Sequence, residues 1–239
     1  MSVHRSRKVR VSVLKKSTKD KIVTVIYHIF VMGIGISMVY PLIWMVFSSF
    51  KPTNSIFATA TQLFPDQFTL DNYINGWKGI GRTPFSQFFA NTFFVCIIAT
   101  LGTVASCAMV AYSFARLRYR LRGPLFALVL LTMMLPGEIL MIPQYLWYNK
   151  LSWVNTYLPL TVPLFFATSG FFIYQMKNFI DGIPEALDES ARIDGCSFYG
   201  IFFRIIIPLI KPSLATVTIF SFLNNWNNYM GALLYLRRT

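Results

Sequence analysis

Acidic side chains are scarce in this chain. Nine Asp and Glu stand against 22 Lys and Arg in 239 residues, and charged residues of both signs make up only 13%. So little polar surface cannot cover a soluble globule of this size, and the 55% hydrophobic content points to a bilayer. Cysteine is rare as well: Cys96 and Cys107 share one apolar run, Cys196 stands alone, and neither His4 nor His28 lies near them. Disulfides and metal sites are therefore not expected. No glycine-rich loop ending in Lys-Ser or Lys-Thr occurs, so a phosphate cradle is not expected in this chain either. The net charge of +13 would suit nucleic acid, but the basic residues cluster beside apolar runs, as at the cytoplasmic flanks of membrane spans. Nucleic-acid binding is not expected.

What the chain has is long apolar runs. A hydrocarbon core of about 30 Å takes roughly 20 helical residues, and five segments meet that demand, at 22–47, 88–115, 124–147, 157–176 and 212–236. They are continuous, without the alternation of a barrel strand, so the expected fold is an all-α membrane protein, a polytopic helical bundle. The first run is too long for a signal-peptide core and is expected to remain as an anchor. The tail over 1–21 carries eight Lys and Arg, and "RLRYRLRG" after the second run carries four more. Both belong on the cytoplasmic side. The multi-pass chain is thus expected with its N-terminus inside, and counting spans places the connection over 178–208 inside too.

That connection gathers Asp181, Glu185, Asp188, Glu189 and Asp194, five of the nine acidic residues. Pro184 suits the first turn of a helix, acidic residues suit its positive end, and Gly195 suits a left-handed stop, which predicts a short helix over 184–194. Phe198, Ile201, Phe202 and Ile205 then repeat on one face of a second amphipathic segment, which Pro208 and Pro212 are expected to end. Small residues at Ser190, Ala191 and Gly195 would let another surface come close. A solvated loop is the plain alternative.

"ESARIDG", nine residues and then "IIIP" resemble the EAA loop of the membrane subunits of ABC importers: Glu-Ala-Ala, three residues, Gly, nine residues, Ile, any residue, Leu, Pro. Glu189, Ala191, Gly195, Ile205 and Pro208 match in register; Ser190 replaces an Ala and Ile207 the Leu. "YPLIWMVFSSFK", "LDNY", "AYSFARLRY", "MMLPGEILMIPQY" and "FLNNWNNY" are similar to the carbohydrate-type branch, the second permease of maltose-like and glycerol-phosphate-like systems. The resemblance implies a type I ABC importer permease fold in a bacterial or archaeal cell membrane. It also implies a second permease subunit, two ATP-binding subunits that hold ATP and Mg, and an extracytoplasmic solute-binding protein. This chain would hold no cofactor and catalyse no covalent step. Glu189, Ser190, Ala191, Asp194, Gly195, Ile205 and Pro208 would seat the ATPase subunit, with Arg192 adding polar contacts. The branch has six spans; five are expected in this sequence, without the sixth.

Inside the apolar runs, Asn224, Asn227 and Asn228 are spaced to share a helix face with Ser221 one turn earlier, beside Trp226. Amides beside aromatic rings suit a sugar path, and equally suit hydrogen bonds between helices. Glu138 stands between Pro136 and Pro143, where irregular backbone is expected; it is either a hinge contact or a further path residue. Thr103, Cys107, Ala111 and Ala115 form a small-residue stripe for helix packing. Two other readings remain at this stage: a permease for glycerol phosphate, amino acid or peptide cargo, and a membrane scaffold that uses the same docking loop without transport.

Overall fold

The computed structural model describes residues 18–81 and 83–236; most of the basic tail, Arg82, Arg237 and Arg238 lie outside them. Among the described residues the secondary structure is helical, with one isolated bridge between Ile80 and Thr83. The chain divides into two compact units, the first ending at Phe85 and the second starting at Ser86.

In the first unit, α1 (Thr18–Ser48) is apolar on every side and exposes Ile26, Phe30, Met38 and Leu42, as a helix in lipid or among other helices does. The segment after it is held by a polar knot. The Lys51 side chain, only 1% exposed, donates to the carbonyls of Thr59 and Gln62 at 2.9 and 2.6 Å. Asn72, in α2 (Asp71–Lys78), donates to the carbonyls of Ser49 and Lys51 and accepts from Thr53 Oγ1. The quoted motifs "FSSFK" and "LDNY" thus interlock, with Phe50 stacked on Phe68 at 4.5 Å.

The second unit is built on α3 (Phe85–Arg116). Thr103, Cys107, Ala111 and Ala115 are all buried, so the small-residue stripe is its packing face. Against it lie Phe172, Ile173, Met176 and Ile180 of α7 (Gly170–Asp181), and Val217 belongs to the same core. Gly102 has no room for a side chain: a Cβ there would come 2.6 Å from the Phe165 ring.

Three stretches, Lys21–Ser48, Phe85–Arg116 and Leu158–Asp181, are long and apolar enough to cross a membrane; two bent pairs raise the number to five, and a sixth span is not found among the described residues. The bends divide the apolar runs, and the one in the third run falls at Pro136, at the edge of the stretch where irregular backbone is expected. Over 124–147 the chain forms α4 (Arg122–Thr132) and α5 (Gly137–Lys150), which meet at 101°. Pro136 adopts an extended conformation and has no N–H to give Thr132, so the helix ends in short turns and restarts at Gly137. Pro143, by contrast, is carried inside α5.

The fourth stretch is α6 (Leu158–Thr161), a tight 3-10 turn over Val162–Phe166, and α7. Ala167 sits in the left-handed region at φ 52°. Ser106 of α3 takes up this break: its hydroxyl donates to the Leu164 carbonyl and accepts the Ala167 N–H.

The last expected segment, 212–236, is also divided. The helix α11 (Lys211–Trp226) stops at the asparagine run, and α12 (Tyr229–Tyr235) begins after it. Asparagine competes for backbone hydrogen bonds and so favours helix ends over helix interiors.

Candidate functional site

The acidic loop folds into α8 (Ala186–Ile193), introduced by a turn in which Leu187 N–H reaches the Pro184 carbonyl. Its end is a Schellman stop: Gly195 at φ +81° donates to the Arg192 carbonyl and Cys196 to the Ala191 carbonyl. Ser197 then caps α9 (Phe198–Ile201) by accepting the Gly200 N–H, a signal the sequence reading passed over. A wider π-helical turn follows over Phe202–Ile206, in which Ile207 N–H bonds the Phe202 carbonyl. The chain passes through Pro208 in α10 (Ile207–Leu209) and bends by 79° into α11, whose first turn holds Pro212. The break expected at the two prolines falls between them, at Ile210.

The two faces of α8 differ. Asp188 and Ala191, three residues apart, point inward and are 3% and 6% exposed. Glu189, Ser190, Arg192, Ile193 and Asp194 are exposed, and Ile193 at 87% is an apolar side chain with nothing of this chain over it. Ile193 belongs with the predicted site residues on the outer face, one turn from Glu189 and Ser190. Of the other predicted residues, Gly195 is exposed with open space where a Cβ would stand, Ile205 is half-buried and Pro208 is exposed.

Inward, α8 rests on the end of α3. Arg116 Nε lies 2.8 Å from Asp188 Oδ2, with both side chains almost fully buried, although the contact is an ion pair without hydrogen-bond alignment. The same guanidinium donates through Nη2 to the carbonyl of Ile180, in the last turn of α7, at 3.0 Å and to that of Ile183, past its end, at 2.6 Å. One turn back, Tyr112 packs on Phe202 at 5.1 Å and donates to the Phe198 carbonyl. Arg192 lies over the Phe198 ring at 5.4 Å, joining the two limbs of the loop. A cavity of about 880 Å³ opens beside this seat, lined by Tyr112, Arg116, Asp188, Glu189, Phe198 and Tyr199 among others. Arg118 and Glu185, 3.8 Å apart at its rim, are too exposed to contribute much.

Sequence reasoning counted Arg116 as one of four flank charges and Asp188 as a helix-dipole charge; only their burial reveals the pair. The signal that could have found them is their position, one ending the small-residue stripe and the other on the same face as Ala191.

The asparagine cluster is rearranged from the expected helix face. Asn224 is exposed on α11, while Asn225 bonds back to Ser221. Asn227 ends α11, and Asn228 caps α12 by accepting the Gly231 N–H. A cavity of about 400 Å³ is lined by Asn91, Tyr157, Asn225, Trp226, Asn227 and Asn228, with Asn224 outside its lining. Trp226 itself lies edge-on to Phe93 at 5.1 Å. Glu138 stands exposed in the first turn of α5, where a helix N-terminus favours a carboxylate, and among the described residues it forms no ion pair. No described group of three or more His, Cys, Asp or Glu could hold a metal ion.

The model of the binding-protein-dependent transport system inner membrane component family matches residues 107–237, which include the whole loop. The arabinooligosaccharides transport system permease protein AraQ of Halalkalibacterium halodurans is 36% identical over 201 residues, 83% of this chain and 71% of that protein. The polygalacturonan/rhamnogalacturonan transport system permease protein YtcP of Bacillus subtilis is 33% identical over 219 residues, 91% of this chain and 74% of that protein. Among solved structures, the crystal structure of a bacterial ABC transporter involved in the import of the acidic polysaccharide alginate superposes with a TM-score of 0.80 at 26% identity, covering 93% of this chain and 77% of that one.

Proposed function

The chain belongs to the family of binding-protein-dependent transport system inner membrane components, and on that premise we propose that its loop over 178–208 is the seat of an ATP-binding subunit. The chain is a multi-pass permease subunit of an ABC importer that moves carbohydrate by alternating access, and ATP is hydrolysed in separate subunits. Family membership brings a paired permease, ATPase subunits and a solute-binding protein with it.

The observation that carries the docking reading is α8 itself. A short helix with a Gly195 stop turns Glu189, Ser190, Ile193 and Asp194 outward and keeps Asp188 and Ala191 against the spans. An 87% exposed isoleucine among polar side chains is what a covered interface needs and a solvated loop does not. The Ile205 to Pro208 segment anchors the second limb. On this reading the N-terminus lies in the cytoplasm, and two ATPase copies serve this chain and its paired permease.

The cargo is an oligosaccharide or polysaccharide fragment, in keeping with the relatives named for arabinooligosaccharides, polygalacturonan and alginate. The Asn225, Trp226, Asn227 and Asn228 cavity, with amides beside an aromatic ring, is its candidate contact in this subunit; Asn224 and Glu138 stand outside that cavity. The test is reconstitution with the paired permease, ATPase subunits and binding protein in proteoliposomes. Hydrolysis stimulated by carbohydrate-loaded binding protein, with uptake, supports the reading; stimulation by loaded amino-acid or peptide binders alone would replace the cargo. Capture of the ATPase without solute-linked hydrolysis would favour a scaffold.

A further inference from the structure

Arg116 holds three elements at one point. It is the last residue of α3, its side chain is 3% exposed, and it meets the inner face of α8 through Asp188 and, through Nη2, the Ile180 carbonyl in the last turn of α7 and the Ile183 carbonyl just after it. A cation suits the end of α7, where the last carbonyls lack helical partners. The planar guanidinium can serve carboxylate and carbonyls together, which the single ammonium of a lysine cannot reproduce in the same geometry. Asp188 Oδ1 is buried without a hydrogen-bond partner, and among the described residues Arg116 is the cation in direct ion-pair contact with this carboxylate. Removing either partner leaves the other uncompensated in a site of low dielectric.

The contact stands directly behind the outward face of α8. The covalent connections of that helix, 182–185 and 194–197, contain Gly182, Pro184 and Gly195 and are mostly exposed, so they would transmit displacement poorly by themselves. A push on Glu189, Ser190 or Ile193 instead meets Asp188 and, through it, the ends of α3 and α7. Tyr112 adds a second grip on the following limb through Phe198 and Phe202.

We propose that Arg116 is a positioning residue for transport: by pairing with Asp188 it makes α8 and the ends of α3 and α7 move as one body, so that motion of the ATPase subunit reaches the spans. The inference rests on the reading of α8 as the docking helix. It concerns transmission behind the docked face, not the docked face itself.

The experiment uses the reconstituted complex with spin labels at Leu187→Cys, exposed on α8 and outside the proposed docking residues, and at Met109→Cys on α3, the native cysteines being replaced. The interlabel distance is read without nucleotide and with a trapped ATP state, beside ATPase copurification and solute imported per ATP. In the wild-type background the distance distribution stays fixed between states. In Arg116→Lys it broadens, and import per ATP falls about tenfold, in the range of a coupling energy between sites, while the ATPase subunits still copurify. Asp188→Asn gives the same pattern. A wild-type distance that shifts beyond its own width between states overturns the rigid link, whatever the variants do. Arg116→Lys with a narrow distribution and unchanged import per ATP overturns it equally. If a crosslinker at Ser190 never captures the ATPase subunit while the distance remains fixed, the docking reading fails and the rigid node stands as a feature of the fold.

Discussion

Asn228 Oδ1 accepts the backbone N–H of Gly231 at 2.9 Å and so starts α12 at the point where α11 has just ended. This cap competes with substrate contact as the reason for an asparagine there. Asn228→Asp keeps the acceptor, whereas Asn228→Ala loses it and costs about 1 kcal/mol. Thermal melting of the detergent-solubilised complex should fall for Ala and hold for Asp. Uptake should lose affinity in Asn228→Asp if the amide N–H₂ meets a sugar hydroxyl. Wild-type uptake kinetics in the Asp variant would leave Asn228 as a cap only.

Asn72 is the corresponding polar joint of the first unit. Its side chain holds the Ser49 and Lys51 carbonyls at 2.9 and 2.6 Å and accepts from Thr53. Asn72→Leu removes all three bonds at roughly 1 kcal/mol net each. The expected result is faster limited proteolysis within 52–69 in the assembled complex, with little change in the second unit, which shares none of these bonds. Equal protection of wild type and variant would show that the knot does not order the segment.

Apolar run length located the helices, and the small-residue stripe located the packing face of α3, because both follow from local spacing. The Gly195 stop was legible because left-handed backbone favours glycine. The 101° break in the third segment was only half legible: Pro136 and Pro143 look alike as letters, yet α5 carries Pro143 inside it and the chain breaks at Pro136, before α5 starts. Nor did spacing show that Asn227 and Asn228 end one helix and start another. The Arg116–Asp188 pair was hidden for a different reason. Its partners are 72 positions apart and each has an adequate local role, a membrane-flank charge and a helix-dipole charge, so only packing reveals the second role of each.

Orientation follows from placing α8 with the ATPase. Ser190→Cys, in a background lacking the native cysteines, should react with a membrane-impermeant maleimide in inverted vesicles and not in intact cells. Its exposed position on α8 makes reaction fast in the isolated permease, and assembly with the ATPase subunit should slow it. Labelling from outside intact cells would reverse the topology and remove the docking reading with it.

Gly195 separates backbone from contact. At φ +81° a non-glycine residue is strained by about 1–2 kcal/mol, but its Cβ would meet open space in this chain. Asparagine tolerates the left-handed region, so Gly195→Asn should keep the α8 stop and melt close to wild type. Gly195→Val adds a branched side chain that resists this conformation, and should lower the melting midpoint modestly. Both place atoms on the proposed docking face. If glycine is there for closeness, Asn and Val should each depress binding-protein-stimulated hydrolysis and weaken ATPase copurification, despite their different melting. If it is there only to end the helix, Asn should work as well as glycine and Val alone should fail. The outer face of α8 carries Glu189, Ser190 and Ile193 within two turns of this stop, so closeness is the expected reason, and full activity in Gly195→Asn would refute it.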